Sequence, residues 1–429
     1  MKTLSIVKAA LGGGAGLLLA GLLAAAPAAQ AATGVSVRCD SQALINAITA
    51  ANKSGGATIN LTPECTYRLT TANNSSTMLG DTGLPVITSR ITLNGFHTTI
   101  AGNSTSFRIL LVAGTGNLTL QGLTITGGNT PSAGGGIFNF EGTLTLNHSQ
   151  VTGNTAAEGG GIASGSMGGA GPLGTTTLNF SQVDGNTSIG SPSTMNGGAG
   201  GILNHGGTLI LNFSQVDGNT AGSGGGGIAS GTGMGGIGAS VLVLNASQVN
   251  GNTSNGGPMA GAGGIANGGT ATLNASQVNG NTAPGAAGGG ILNHGTMTIT
   301  LSQVNGNTAP TDSLKDQGLG GGIANLNFGP FTGAANSGVL TITLSQVRNN
   351  TASGLGGGIF EATANADGTF GPGAPLTLKL SQVTGNTAAE GGGIYAAVSG
   401  SPVALKLTLV ARNIPDNCFP LGSIAGCKN

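Results

Sequence analysis

Three short motifs recur in a fixed order along this chain. Ser-Gln-Val is followed one residue later by Gly-Asn-Thr and then by Gly-Gly-Ile, and in one copy Asn349-Asn350-Thr351 replaces Gly-Asn-Thr. The shortest spacing between copies, Ser276 to Ser302, is 26 residues. Periods of this size are typical of solenoids, in which each repeat is one small coil that stacks on the next. The eight copies of Ser-Gln-Val begin at Ser149, Ser181, Ser214, Ser247, Ser276, Ser302, Ser345 and Ser381.

The residues around each Ser-Gln-Val alternate between apolar and polar, as in Thr143-Leu144-Thr145-Leu146. A period of two is typical of β-strands, and short strands separated by Gly and Asn turns bury a core only when coils stack in parallel sheets. We therefore predict an all-β, right-handed parallel β-helix. The glutamines and the Gly-Asn-Thr asparagines should form amide ladders along the stack. The residue before each Ser-Gln-Val is mostly apolar, and we expect it to point inward: His148, Phe180, Phe213, Ala246, Ala275, Leu301, Leu344 and Leu380.

Composition excludes two classes of partner. Glycine accounts for 85 of the 429 residues and charged residues for 6%, whereas 38% are apolar. A chain this apolar is not typical of a disordered protein, which has low hydrophobicity and high net charge. Charges are few and no basic patch occurs, so we expect neither nucleic-acid binding nor attachment to anionic lipid.

The two ends of the chain differ from the repeats. Residues 1–31 have the positive start, apolar middle and small-residue cleavage site of a signal peptide, which predicts a secreted protein. Residues 32–115 should form an N-terminal cap with a short helix from Ser41 to Lys53, where Ser41 is a possible N-cap. The repeats occupy 116–413, and 414–429 should form a C-terminal cap. No later segment has the length of a membrane-spanning helix.

All four cysteines lie in these caps, Cys39 and Cys65 in front and Cys418 and Cys427 behind. In an exported protein an even number of cysteines favours disulfides. Pairing by proximity gives Cys39–Cys65 and Cys418–Cys427. No histidines or acidic residues accompany them at the spacing of a metal site.

The order Ser-Gln-Val-x-Gly-Asn-Thr-Ala followed by Gly-Gly-Gly-Ile resembles the repeat of the polymorphic outer-membrane proteins. It is also similar to the wider set of secreted right-handed β-helix repeat proteins of bacteria. The resemblance extends from Gly116 to about Asn413, and it implies a bacterial surface or adhesin-like protein. The polymorphic proteins end in a membrane-inserting barrel, and the sequence up to Asn429 contains nothing comparable, so we expect no membrane insertion.

Catalysis needs titratable groups close together, and the central repeats contain few. Between Phe138 and Thr311 the only acidic residues are Glu141, Glu158, Asp184 and Asp217, and lysine and arginine do not occur. Because Asp184 and Asp217 follow Ser-Gln-Val in successive repeats, stacking should place them about 5 Å apart. Such a pair is a candidate acidic or Ca²⁺ site. A solvated polar row is the simpler interpretation, since asparagines continue the series, and no catalytic residue, metal ligand or cofactor is otherwise assigned.

His205 and His294 share a Leu-Asn-His-Gly context, but we expect them three coils apart, too far for one metal ion.

Three functions are consistent with the sequence. The first is a secreted, non-catalytic protein that binds a surface, a glycan or a component of the cell envelope. The second is a polysaccharide lyase or glycoside hydrolase of the pectate-lyase-like fold, which the scarcity of acids and bases makes less favoured. The third is a self-associating structural or matrix protein.

Overall fold

In a computed structural model, the coils of the repeat region pass through up to four short β-strands in the same order. The structure describes residues 34–103, 106–165, 173–190, 198–231, 240–256, 261–311, 318–328, 338–365, 369–397 and 402–429. The predicted signal peptide, 1–31, lies outside these residues, as does most of several Gly- and Pro-rich insertions. We name the strands of one coil A, B, C and D in chain order.

Strands of one type pair in parallel with the same strand of the next coil. The register follows the sequence repeat, so that Gln150 pairs with Gln182 and Ile162 with Ile202. The A and B strands belong to one long sheet and the D strands to a second. The chain is therefore a parallel β-helix, as predicted from the repeat.

The bounds of the strands follow the motifs closely. The A strands are Thr143–Asn147, Thr175–Asn179, Thr208–Asn212, Val241–Asn245, Thr270–Asn274, Thr296–Thr300, Leu340–Thr343, Leu376–Lys379 and Val403–Lys406. The B strands are Gln150–Thr152, Gln182–Asp184, Gln215–Asp217, Gln248–Asn250, Gln277–Asn279, Gln303–Asn305, Gln346–Arg348, Gln382–Thr384 and Leu409–Ala411. The C strands are Thr155–Glu158, Thr187–Ser188, Thr220–Ala221, Thr253–Ser254, Thr308–Ala309 and Thr351–Ala352. The D strands are Ile162–Gly165, Ile202–His205, Ile228–Ser230, Ile265–Asn267, Ile291–Asn293, Ile323–Phe328, Ile359–Ala364, Ile394–Ala396 and Cys418–Phe419.

The remaining elements lie mostly at the front of the chain. They are Val35–Val37, helix α1 (Ser41–Ser54), Gly56–Leu61, Thr66–Arg68, Arg90–Ala101, Leu110–Ala113, Asn117–Thr126, Asn129–Ala133 and Ile137–Phe140. Gly224–Gly225 and Gly261–Ala262 form a small separate pair, and Phe370–Gly371 pairs antiparallel with a D strand.

The core is a set of apolar columns along the axis. Leu144 and Leu146 of the A strand, Val151 of the B strand and Ile162 of the D strand are fully buried. Their register partners in the next coil are buried as well and are apolar except for Thr176, which pairs with Leu144. Aliphatic side chains at one strand spacing keep apolar surface out of water along the whole stack, which is the main stabilising contribution in a coil too small to have a core of its own.

The Gly-Asn-Thr motif makes the turn from strand B to strand C. Gly153 has φ of 62°, and Asn349, which replaces glycine in one copy, has φ of 54°. Glycine and asparagine are the residues that best tolerate this left-handed conformation, which explains the exchange at Asn349. In the last coil Arg412 takes this position with φ of 59°.

The asparagine of Gly-Asn-Thr is buried and bonds to the next coil. The side-chain amide of Asn154 donates to Oδ1 of Asn186 at 3.0 Å, and the backbone N–H of Asn154 donates to the same oxygen at 3.0 Å. The arrangement continues coil by coil to Asn413. The predicted asparagine ladder is thus confirmed, and it satisfies buried backbone groups at every turn.

The structure contradicts the expectation that the residue before each Ser-Gln-Val points inward. Phe180 and Phe213 are 55% and 59% exposed, and their φ angles are 50° and 51°. A left-handed residue breaks the alternation of a strand, so the following serine takes the inward place. Ser181 is buried, and its hydroxyl group accepts from the backbone N–H of Ser149.

Helix α1 and two disulfides close the ends. Asp40 caps the helix by accepting from the backbone N–H of Ala43 at 2.7 Å; the predicted N-cap, Ser41, is instead the first helical residue. The predicted disulfides Cys39–Cys65 and Cys418–Cys427 are both confirmed. Among the residues that the structure describes, no helix is long and apolar enough for a membrane crossing.

Candidate functional site

The B strands present two rows of polar side chains to solvent. The first and third residues of each B strand point outward, because valine at the second position points into the core. We call this surface the B face. Its first row is Gln150, Gln182, Gln215, Gln248, Gln277, Gln303, Gln346 and Gln382, and its second row is Thr152, Asp184, Asp217, Asn250, Asn279, Asn305, Arg348 and Thr384.

Asp184 and Asp217 are register partners on adjacent coils, as the repeat predicted. Each carboxylate accepts hydrogen bonds from the B face. Asp184 accepts from the side-chain amide of Gln150 at 3.1 Å, and Asp217 accepts from the backbone N–H of Asn250 at 2.9 Å. The pair is therefore part of the hydrogen-bonded surface, with both carboxylates on one face of the sheet.

Partial burial raises the pKa of Asp217, and the charge of Asp184 raises it further, whereas the bond from Asn250 acts in the opposite direction. Two like charges at adjacent register positions repel each other. A cation would remove this repulsion, and carboxylate and amide oxygens are ligands that suit Ca²⁺. Ca²⁺ takes six to eight oxygen ligands, yet no group of three or more His, Cys, Asp or Glu residues is found in the described ranges. Calcium binding by this pair stays a prediction.

The substitution Asp217→Asn tests whether Asp184 and Asp217 repel each other or bind Ca²⁺. Without Ca²⁺ we expect the free energy of unfolding to rise by about 0.5 kcal/mol at pH 7, because the substitution removes a like-charge contact while its amide oxygen still accepts from Asn250. Chemical denaturation in a chelator and in Ca²⁺ measures the effect. If Ca²⁺ binds here, the substitution must instead destabilise the protein in the calcium sample. The control, Asn250→Asp, adds a third carboxylate and should lower stability in the chelator.

The predicted glutamine ladder forms only in part. The amide of Gln182 donates to Gln215 at 3.3 Å. In later coils the glutamine oxygen accepts from the asparagine two residues on, as Gln248 does from Asn250 at 3.0 Å. The asparagine Oδ1 in turn accepts from the next backbone, so that Asn250 bonds the N–H of Asn279. Both rows are thereby held in fixed orientations.

The histidines do not form a site. His205 and His294 lie on D strands or directly after them, and three coil steps separate them, through Ile202, Ile228, Ile265 and Ile291. This agrees with the spacing expected from the sequence. Burial lowers the pKa of His294 to about 3, so the ring is neutral in the folded protein.

Two buried ionisable residues were missed by sequence reasoning. Glu361 is fully buried and accepts from the side-chain amide of Asn325 at 2.6 Å. Arg108 is also buried, donates to the carbonyl oxygens of Ala133 and Gly80, and lies over the ring of Phe138. The signal for Glu361 was present, because it replaces the asparagine that stands two residues after isoleucine in preceding D strands. Nothing in the sequence marks Arg108.

The sequence matches no protein-family model, and no curated protein matches it. Solved structures with a similar fold include pectate lyase Pel9A, with 14% identity, a TM-score of 0.44, and 79% of this chain and 80% of that chain covered. The A-module of the Azotobacter vinelandii mannuronan C-5 epimerase AlgE4 has 15% identity and a TM-score of 0.37, with 88% and 94% covered. That of AlgE6 has 14% identity and a TM-score of 0.34, with 89% and 98% covered.

These proteins share the parallel β-helix with the present chain. At this level of identity the likeness concerns the fold alone. No family model matches the chain, so the finer resemblance to the polymorphic outer-membrane proteins stays an expectation from the repeat.

Proposed function

We propose that this protein is exported and binds a linear polysaccharide along its B face without cleaving it. The observation that carries the proposal is the pair of outward polar rows, in which neutral amides recur on coil after coil. The two disulfides in the caps support an oxidising compartment outside the cytoplasm.

The rows suit a polymer with many hydroxyl groups. An amide offers both donors and acceptors, as a hydroxyl group does. Since the coils repeat at about 4.8 Å, an extended chain lying along the stack would meet the same groups at regular intervals. The hydrogen bonds from Asn250 to Gln248 and from Gln182 to Gln215 hold the amides in place before a ligand arrives, which lowers the entropy lost on binding.

The carboxylates of the B face favour binding over cleavage. Hydrolysis needs an acid and a base on either side of the scissile bond, and a lyase needs a base that removes a proton from carbon. Asp184 and Asp217 belong to one row of one sheet face, so they would contact a bound chain from the same side.

The test is a binding measurement with a panel of acidic and neutral polysaccharides, with and without Ca²⁺. The triple variant Gln215→Ala, Gln248→Ala, Gln277→Ala should bind at least about tenfold more weakly, equivalent to about 1.4 kcal/mol. The matched control changes outward threonines of A strands, Thr177→Ala, Thr272→Ala and Thr298→Ala, and should change affinity less than about twofold. Equal losses in both variants, or no binding to any polysaccharide, would contradict the proposal.

The same incubation shows whether the protein cleaves or converts the polysaccharide. Depolymerisation that Asp184→Ala or Asp217→Ala abolishes would establish the alternative, a polysaccharide lyase or glycoside hydrolase, in place of binding alone. A change in uronate composition without depolymerisation would likewise replace it with an epimerase.

A further inference from the structure

A row of apolar residues runs along the outside of the stack, where strand A turns into strand B. Phe180, Phe213 and Leu301 are 55%, 59% and 61% exposed. The rings of His148 and Phe180 stack at 5.3 Å and those of Phe180 and Phe213 at 5.1 Å, so the first three members of the row are in contact. We call it the ridge, and its members are His148, Phe180, Phe213, Ala246, Ala275, Leu301, Leu344, Leu380 and Leu407.

The fold does not account for these residue types. Every ridge residue has φ near 50°, a conformation that suits glycine or asparagine and is rare for a bulky side chain. At the other left-handed turn of the coil the chain uses glycine, as at Gly153, or asparagine, as at Asn349, and a larger residue, Arg412, only in the last coil. Large apolar side chains on the ridge therefore cost backbone strain and are exposed to water, which points to a contact that the isolated molecule does not make.

The order of residues along the ridge suits contact with a second copy of the ridge that lies antiparallel to it. The first half has large aromatic side chains, the middle has alanines, and the second half has leucines. If two ridges meet antiparallel with Ala275 opposite Ala275, Phe213 faces Leu344 and Phe180 faces Leu380. Ala246 then faces Leu301, so that a small residue lies opposite a larger one. A parallel arrangement in register would place each phenylalanine against its own copy, and both Ala246 and Ala275 would then face an alanine, whereas only Ala275 does so in the antiparallel one.

Charged residues beside the ridge are also distributed unevenly, with acidic residues near one end and basic residues near the other. Asp184 and Asp217 lie beside the first half, whereas Arg348, Lys379 and Lys406 lie beside the second half. A two-fold axis across the ridge places the B-strand sides of the two copies against each other, so an antiparallel arrangement brings Asp217 of one copy opposite Arg348 of the other. A parallel arrangement brings the two acidic halves together and the two basic halves together. Opposite charges on facing halves steer association and fix its orientation.

We infer that the ridge is the interface of an antiparallel homodimer with a two-fold axis at Ala275. Nine coils at about 4.8 Å make the ridge about 38 Å long. A stable interface buries about 800 Å² on each partner, which requires a strip about 20 Å wide. The ridge and the polar rows on both sides of it supply that width. The interface is isologous, as two-fold symmetry requires.

Sedimentation of the whole protein over a range of concentrations tests the association. We expect a dimer, and the double variant Phe180→Ser, Phe213→Ser should raise its dissociation constant by at least about a hundredfold. The control is Met78→Ser, Ile189→Ser, which removes two apolar side chains away from the ridge that are even more exposed, at 72% and 63%, and should leave the dimer unchanged. A monomer at all concentrations, or equal weakening by both variants, would overturn the inference.

Single cysteines test the orientation, since all four native cysteines are paired. Under oxidation Ala275→Cys should form a covalent dimer. Leu380→Cys should not cross-link to itself, but it should do so when mixed with Phe180→Cys. Cross-linking of Leu380→Cys with itself would show a parallel arrangement and overturn the proposed axis. The dimer interface includes the glutamine row of the B face, so a bound polysaccharide and the dimer compete for that row. Both tests of the dimer are made without polysaccharide, so the two proposals can fail separately.

Discussion

Asn252→Ala is expected to lower the free energy of unfolding by about 3–5 kcal/mol, because it leaves several buried groups without partners. Oδ1 of Asn252 accepts from the backbone N–H and the side-chain amide of Asn219, at 2.9 and 3.0 Å. Its own amide donates to the carbonyl oxygen of Val216 and to Asn281. An alanine supplies none of these bonds, and the turn is closed to water because Asn252 has no exposed surface.

Denaturant titration and hydrogen exchange followed by mass spectrometry measure this effect. Because each coil contacts only its neighbours, exchange should accelerate first in the coils that contain Asn219, Asn252 and Asn281. The control is Asn274→Ala, whose exposed amide donates to Asn245 at 3.1 Å; surface substitutions of this kind usually change stability by less than about 0.5 kcal/mol. Equal losses for the two variants would show that the buried ladder adds nothing beyond the surface one.

We also expect the free energy of unfolding to depend strongly on pH because of Glu361. Burial raises the pKa of Glu361 to about 9 from its ordinary 4.5, although the hydrogen bond from Asn325 acts in the opposite direction. Between these values the folded protein keeps a proton that the unfolded chain loses. The contribution of Glu361 to the free energy of unfolding is therefore greatest below pH 4.5. It falls by about 1.4 kcal/mol per pH unit as the pH rises from 4.5 towards 9.

Glu361→Gln should remove this dependence, since an amide of the same shape does not ionise. Thermal or denaturant unfolding at intervals from pH 5 to pH 9 measures the slope. The variant should equal the parent near pH 5 and exceed it increasingly towards pH 9. Glu158→Gln, which removes a carboxyl group that solvent reaches, should keep the slope of the parent. A parent slope unchanged by Glu361→Gln would show that the carboxyl is not the group responsible.

The sequence predicted most of what depends on spacing. Stacking in register follows from the repeat, so the asparagine ladder and the adjacency of Asp184 and Asp217 were both accessible from residue counts. The disulfides followed because each cysteine pair lies within one cap. These features need only the order of residues and the geometry of parallel strands.

What the sequence did not predict depends on backbone conformation or on contacts between distant coils. Alternation placed Phe180 and Phe213 inward, because a single left-handed residue leaves no mark in the apolar pattern. The helix cap moved to Asp40 since a carboxylate stood one residue before the serine that we expected. The burial of Arg108 depends on the carbonyl of Ala133, 25 residues away and in the next coil.

The side-chain amide dipoles of the buried asparagines all point the same way along the axis of the stack. Each side-chain amide donates to the next coil towards the C-terminus, from Asn154 through Asn413 and on to Asn417. Aligned amide dipoles reinforce one another, as hydrogen-bonded chains do in a medium of low polarity. At the first coil Asn154 accepts from the N–H of Gly128, and at the last Asn417 donates to the carbonyl of Lys428. The two ends of the asparagine ladder therefore differ, since the first presents an acceptor and the last a donor. A further coil would continue the ladder only if its own asparagine had the same orientation.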